Sequence, residues 1–118
     1  MNIKVKRIYE PYATGDGYRI LVDRLWPRGI KKENAHIDKW LKEVAPSTEL
    51  RKWIHADPDR WTGFKTKYRA ELTRSAALKE LSADVRAHQT VTLLYAVRDE
   101  QHNHALILRE VILDQQAT

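Results

Sequence analysis

Residues 90–97, which read Thr-Val-Thr-Leu-Leu-Tyr-Ala-Val, constrain the fold more than any other segment. A strand with one solvated face alternates polar and apolar residues, whereas an almost unbroken apolar run of this length indicates a strand covered on both faces. Such strands are typical of parallel sheets with helices packed on them. Residues 18–23 have a similar character and residues 3–8 alternate, so we predict three strands.

Most of the chain between the second and third predicted strands has helical spacing. The first helix is predicted from four apolar residues that recur at i, i+3, i+4 and i+7, namely Ile37, Trp40, Leu41 and Val44. Caps of later helices are predicted at Ser47, Asp57 and Asn103. The buried core is predicted to include Val22, Trp40, Trp53, Phe64, Leu72, Leu93, Leu94, Leu108 and Val111.

These elements predict a small α/β fold, a mostly parallel sheet of three or so strands with helices packed on it, in a single domain spanning residues 1–118. The long helical route from residues 18–23 to residues 90–97 predicts that these strands are parallel neighbours joined by a right-handed crossover. About ten residues separate the first two strands, which fits either an antiparallel loop or a short parallel crossover. The direction of the first strand therefore stays open. Residues 114–118 are expected to form a loose tail.

The chain has no cysteine, which excludes several kinds of chemistry. Disulfides, thiolate metal sites and cysteine nucleophiles cannot form. No apolar run approaches the roughly 20 residues of a membrane-spanning helix, and the first residues alternate charged with apolar side chains, unlike a signal peptide. We therefore expect a cytoplasmic protein without membrane contact. The histidines show no metal-ligand spacing with carboxylates, and we predict neither a metal nor a cofactor.

The excess of positive charge is confined to the N-terminal half. Residues 1–54 contain 12 Lys or Arg against 7 Asp or Glu, whereas residues 55–118 contain 9 of each class. One interpretation is an electropositive face for nucleic acid or an acidic protein. The lysines alternate with acids and form no run, so we interpret them as a solvated surface.

Candidate site residues occur where the strands are predicted to end, because ligands of parallel sheets bind beyond the carboxyl ends of the strands. Asp23 and Arg24 end the second strand and Arg28 follows in the next turn, while Tyr95 lies near the end of the third. Two guanidinium groups close together favour a carboxylate or phosphate between them. Alternatively, one of these arginines forms an internal ion pair with Asp23 or Asp99 and fixes the loop.

Two helix starts add candidates to the same edge of the sheet. Ser47 and Arg51 are one turn apart at a helix N-terminus, where free backbone N–H groups favour anions. The alternative is an ordinary capped helix whose Arg51 lies in solvent or pairs with Glu49. His104 follows the cap Asn103 at another helix start, where the helix dipole disfavours its protonation. A neutral imidazole in a cleft can act as a general base or hydrogen-bond donor, although a histidine at a helix start is more often structural.

Four motifs together resemble the YeaO-like branch of DUF488, a bacterial family of domains of unknown function. They are Val-Asp-Arg-Leu-Trp-Pro-Arg-Gly at 22–29, Ala-Pro-Ser-Thr-Glu-Leu-Arg at 45–51, Thr-Leu-Leu-Tyr-Ala at 92–96 and Asn-His-Ala at 103–105. The resemblance runs from about residue 3 to residue 113, and it implies a small cytosolic α/β domain with no established activity.

Other branches of DUF488 tend to have a cysteine near the end of the strand that is equivalent to residues 90–97, and Cys-His-Arg at the following helix. In this chain Tyr95 lies near that strand end and Asn103-His104-Ala105 begin that helix, so only the histidine is shared. Thiol chemistry supposed for those branches therefore does not carry over.

Two classes of function follow from these residues. The first is a protein, and possible enzyme, that binds a small phosphate- or carboxylate-bearing ligand in an arginine-rich cleft at the carboxyl ends of the strands. Its ligand-binding residues would be Arg24, Trp26, Arg28, Ser47, Arg51 and Asn103, and its acid/base residues would be Asp23, Tyr95 and His104.

The second class is a nucleic-acid or acidic-protein binding module that uses the basic N-terminal half and Trp26, although the sequence contains no recognisable nucleic-acid-binding motif. An accessory protein without chemistry is a third interpretation. The oligomeric state is left open.

Overall fold

Four parallel strands form a single sheet in the order β1-β4-β2-β3 in a computed structural model that describes residues 2–116. The strands are β1 (Asn2–Arg7), β2 (Tyr18–Leu21), β3 (Lys39–Trp40) and β4 (Thr90–Tyr95). The apolar strand β4 lies between β1 and β2, with Leu93 opposite Val5 on one side and Ile20 on the other. The predicted α/β class and the parallel pairing of the second and last strands are confirmed. The first strand, whose direction was open, is also parallel to β4.

Within these described residues, five α-helices accompany the sheet: α1 (Lys32–Ala35), α2 (Thr48–Ala56), α3 (Trp61–Leu72), α4 (Ala76–Ala87) and α5 (His104–Gln116). Side-chain caps begin two of the helices that matter for the site. The Ser47 Oγ accepts a hydrogen bond from the Leu50 amide at 3.1 Å, and the Asn103 Oδ1 accepts one from the Leu106 amide at 3.0 Å. Both caps were predicted, because Ser and Asn satisfy the free N–H groups of a first turn.

The predicted first helix, from Ile37 to Val44, is wrong. This segment forms the edge strand β3 and then a 3₁₀ turn at Lys42–Val44. Its backbone bonds to β2 instead of to itself, with the Leu41 amide 2.9 Å from the carbonyl oxygen of Leu21. The four apolar side chains do not share one face, because Leu41 and Val44 join the main core while Ile37 and Trp40 pack on the opposite side of the sheet.

The core has a large part on one face of the sheet and a small part on the other. The large part gathers side chains from α2, α3, α4 and α5, and the small part is centred on Ile8, Leu21 and Leu94. Of the predicted core residues, six are buried, namely Val22, Phe64, Leu72, Leu93, Leu94 and Leu108. Three are only partly buried, namely Trp40, Trp53 and Val111.

The amino ends of β1 and β2 are closed by a tightly bonded loop. Gly17 has a φ of 66°, and a Cβ there would lie 2.3 Å from the carbonyl oxygen of Thr90, so only glycine allows the loop to approach β4. The buried Asp16 pairs with Arg19 and, at 3.0 Å, with Lys6. Burial opposes ionisation of Asp16, but hydrogen bonds from Lys6, the Ala13 amide and Arg19 outweigh it and lower the pKa. The charges at this edge are therefore satisfied internally.

The end of the chain is helical as far as it is described. Residues 114–116 of the expected tail continue α5, and residues 117–118 lie outside the described residues. Between residues 2 and 116, no helix is both long enough and apolar enough to cross a membrane.

Candidate functional site

The carboxyl end of β2 meets the start of α5 through a histidine–aspartate contact. The Nε2 atom of His104 lies 2.9 Å from the Val22 carbonyl oxygen and 3.3 Å from Oδ1 of Asp23. The other carboxylate oxygen of Asp23, Oδ2, accepts a hydrogen bond from the Ala96 amide at 3.0 Å. The contact therefore joins three segments that are far apart in sequence, and it follows directly from the parallel order β4-β2.

Burial shifts the protonation of both partners. Removal from water raises the pKa of Asp23, and the nearby His104 charge only partly offsets this. Removal from water also lowers the pKa of His104, against the influence of Asp23. The Arg51 guanidinium lies close enough to favour the charged carboxylate and the neutral imidazole. Since both neighbours of Nε2 are acceptors, the neutral ring carries its hydrogen on Nε2.

Two arginines near Asp23 have unsatisfied donors. Arg24 donates from Nη2 to the Ala45 carbonyl at 3.3 Å, and Arg51 donates from Nη2 to the Thr48 hydroxyl at 3.4 Å. The Nε atoms of both arginines are buried and have no hydrogen-bond partner within residues 2–116, and the same is true of Asp23 Oδ1. Buried polar atoms without partners are rare in folded proteins, so we take these three atoms as the centre of the candidate site.

Tyr68 of α3, which was not among the candidate site residues, completes this group. Its hydroxyl donates to the Val44 carbonyl at 2.6 Å, and its ring centroid lies 6.2 Å from that of His104 in an edge-on arrangement. Burial raises the pKa of Tyr68, and the charges of Glu71, Asp23 and Arg24 also act on it. We name Asp23, Arg24, Arg51, Tyr68 and His104 the Asp23 cluster.

The α2 N-terminus, predicted to bind an anion at Ser47, already holds an internal carboxylate. Glu71 of α3 accepts hydrogen bonds from the Ser47 amide at 3.0 Å and the Ser47 hydroxyl at 2.6 Å. Two surface depressions, of about 340 and 610 Å³, are lined in common by Ser47, Lys67 and Glu71. Neither is lined by a member of the Asp23 cluster. Glu71 was missed because nothing near it in sequence marks it as a cap for a helix 24 residues earlier.

Four other candidates lie in different surroundings. Asn103 is 2% exposed and uses its side chain to cap α5 and to bond the Asp99 carbonyl, so it positions His104. Tyr95 is buried, and its pKa is raised first by burial and then by the charges of Glu100 and Glu10.

Arg28 is exposed, and its backbone carbonyl accepts a hydrogen bond from the Tyr9 hydroxyl at 2.8 Å. The ring of Trp26 packs edge-on against Trp40, with 5.4 Å between ring centroids, and its Nε1 donates to the Ile30 carbonyl at 2.7 Å.

Within the described residues, the three candidate arginines do not form the internal ion pairs with carboxylates that were considered as an alternative. Across the part of the chain that the structure describes, Arg24, Arg28 and Arg51 form no ion pair with a carboxylate. Among the same residues, no three His, Asp or Glu side chains are grouped so that they could hold a metal ion.

Comparison with known proteins identifies the family. The family model described as "Inactive DUF488-N3 subclade" matches residues 2–118. The chain belongs to the DUF488 family. This confirms the resemblance of the four motifs.

Relatives within the family are similar over nearly their whole length. "Uncharacterized protein YeaO" of Escherichia coli K12 is 48% identical over 110 residues, which is 93% of this chain and 96% of the relative. "Uncharacterized protein Rv3073c" of Mycobacterium tuberculosis H37Rv is 42% identical over 110 residues, with 93% and 92% covered. "Uncharacterized protein Mb3100c" of Mycobacterium bovis gives the same figures. No solved structure matches the chain.

Proposed function

We propose that this protein binds a small oxyanion at the Asp23 cluster and does not transform it. The observation that carries the proposal is the pair of buried, unpartnered Nε atoms of Arg24 and Arg51. A buried donor without a partner costs about 1–3 kcal/mol, and more when it is charged, so an acceptor at this place would be strongly favoured. An oxyanion that accepts from both guanidinium groups supplies that acceptor.

Two further features favour binding over turnover. The matching family model is that of an inactive subclade of DUF488. In addition, the hydrogen on His104 Nε2 is directed at the Val22 carbonyl inside the protein. A general acid must hold its proton within hydrogen-bond reach of the reacting atom, and this nitrogen is already engaged.

The proposal is tested by isothermal titration of the protein with inorganic phosphate at constant ionic strength. We expect saturable binding with one site, which Arg24→Gln and Arg51→Gln each weaken by about 1.5–3 kcal/mol, the loss of a hydrogen bond to a charged group. Arg86→Gln is the matched control. Arg86 is exposed on α4, so this substitution removes the same charge from another surface.

The pattern among the three variants decides the outcome. Equal weakening by all three would indicate diffuse attraction by the positive surface, as the nucleic-acid alternative requires, and would contradict a defined site. Absence of saturable phosphate binding by the unaltered protein would also contradict it.

A further inference from the structure

The third unpartnered atom of the Asp23 cluster has the opposite hydrogen-bonding character to the other two. Arg24 Nε and Arg51 Nε are donors, whereas Asp23 Oδ1 is an acceptor. An oxyanion without a proton can satisfy the two donors but leaves the carboxylate oxygen unpaired and repels it. From this combination, and resting on the proposed function, we propose that the site selects oxyanions that carry a proton, with inorganic hydrogen phosphate as the ligand class and sulfate excluded.

The carboxylate of Asp23 is held in one orientation. Its Oδ2 atom is fixed by the Ala96 amide at 3.0 Å, so Oδ1 keeps a constant direction. The Nε2 of His104 lies 3.3 Å from Oδ1 but makes its hydrogen bond to the Val22 carbonyl instead. Oδ1 is therefore a buried acceptor without a hydrogen-bond donor among residues 2–116, and rotation of the side chain cannot turn it away without breaking the bond to Ala96.

The charges of the cluster agree with this selection. Arg24 and Arg51 are always protonated, and Asp23 contributes one negative charge when it is ionised. Both forms of inorganic phosphate present near neutral pH keep at least one P–OH group. That group donates to Asp23 Oδ1 while the unprotonated oxygens accept from the guanidinium groups. Sulfate has no proton near neutral pH, so one of its oxygens would face the carboxylate.

Competition between phosphate and sulfate tests the inference. By titration calorimetry at constant ionic strength, the unaltered protein should bind phosphate about ten- to a hundredfold more tightly than sulfate, the range for one hydrogen bond to a charged group. Asp23→Asn keeps the size and the oxygen that faces Ala96 but replaces the acceptor with an N–H donor. This variant should bind sulfate at least as tightly as phosphate. Asp59→Asn, an exposed substitution, is the control and should keep the preference for phosphate.

Arsenate provides a second measurement that does not depend on how well the Asp23 variant folds. Arsenate keeps a proton near neutral pH as phosphate does, so the unaltered protein should rank arsenate with phosphate and apart from sulfate. If phosphate and sulfate bind equally well, selection by the proton is wrong while the oxyanion site stands. If neither anion binds, the proposed function itself fails.

Discussion

His104 is a mostly buried histidine, and its lowered pKa makes the stability of the protein depend on pH. In the unfolded chain the ring takes up a proton as the pH falls below its ordinary pKa of 6.5, while in the folded chain it stays neutral to a lower pH. The unfolded state then binds more protons, so the free energy of unfolding decreases as the pH falls from about 6.5 toward the folded pKa. Asp23 acts in the opposite direction, because its folded pKa is raised from 3.8 and the folded state then takes up a proton before the unfolded state does.

We therefore expect His104→Gln to reduce the loss of stability on acidification. Urea denaturation at several pH values between about 5.5 and 8 measures the effect, and the slope of unfolding free energy against pH should be smaller in the variant. His55→Gln, which alters an exposed histidine, should keep the slope of the unaltered protein. Parallel curves for the unaltered protein and His104→Gln would show that this ring does not control the acid response.

Individual site residues could be predicted only where local position marks them. Asp23, Arg24 and His104 stand at a strand end and a helix start, and the rule for parallel sheets brings them together. Tyr68 and Glu71 could not be identified, because each contributes through a contact with a segment 24 residues away. Ser47 was predicted to bind a ligand anion, and in the structure its amide and hydroxyl donate to the carboxylate of the protein's own Glu71.

The junction of α2 and α3 depends on that carboxylate. Glu71 is an acceptor for two Ser47 donors at the positive end of the α2 dipole, so Glu71→Gln should lower the free energy of unfolding by about 1–2 kcal/mol. Chemical denaturation measures the change. Glu49→Gln is the control, because Glu49 lies in the same first turn but is exposed, and it should cost less than half as much. Equal losses would mean that the dipole alone, and not the bond to Ser47, stabilises the junction.

A helix or strand was predicted correctly where the spacing of apolar residues fits only one kind of secondary structure, and wrongly where it fits two. The run at residues 90–97 contains too many adjacent apolar residues for an amphipathic helix, and it forms the strand β4. The spacing of Ile37, Trp40, Leu41 and Val44 also fits a two-residue strand followed by a 3₁₀ turn, with pairs of side chains on opposite faces. The open edge of β2 decides between these, since its backbone groups need partners that a helix would not supply.

The two parts of the core are connected through β4, so the molecule should unfold as one unit. Leu94 is fully buried in the smaller part, beside Leu21 and Ile8, and lies on the central strand. Leu94→Ala should cost about 2–5 kcal/mol and lower the far-ultraviolet circular dichroism and tryptophan fluorescence transitions together.

Leu25→Ala, at a side chain that is 67% exposed, is the control and should leave both transitions unchanged. Separate transitions for the two probes in Leu94→Ala would show that the small face of the sheet melts independently.

At the scale of the whole molecule, the sequence identified the parallel sheet but left the first strand undetermined. The connection between β1 and β2 is too short to distinguish a hairpin from a crossover by its own length. The direction of β1 is determined by β4, because the two strands pair from Asn2 opposite Thr90 to Arg7 opposite Tyr95. The apolar pattern of residues 3–8 alone cannot show with which distant strand they pair, or in which direction.

The central position of β4 also determines when the sheet can form during translation. β1 and β2 each bond to β4 and not to one another. The strand that joins them is therefore missing until residues 90–95 leave the ribosome. Until then the nascent chain exposes the apolar side chains of β1 and β2 and those of the helices that pack on the sheet. At about 5–20 residues per second, most of the protein is made before its core can close. The interval in which chaperones can bind this chain is therefore nearly the whole of its translation.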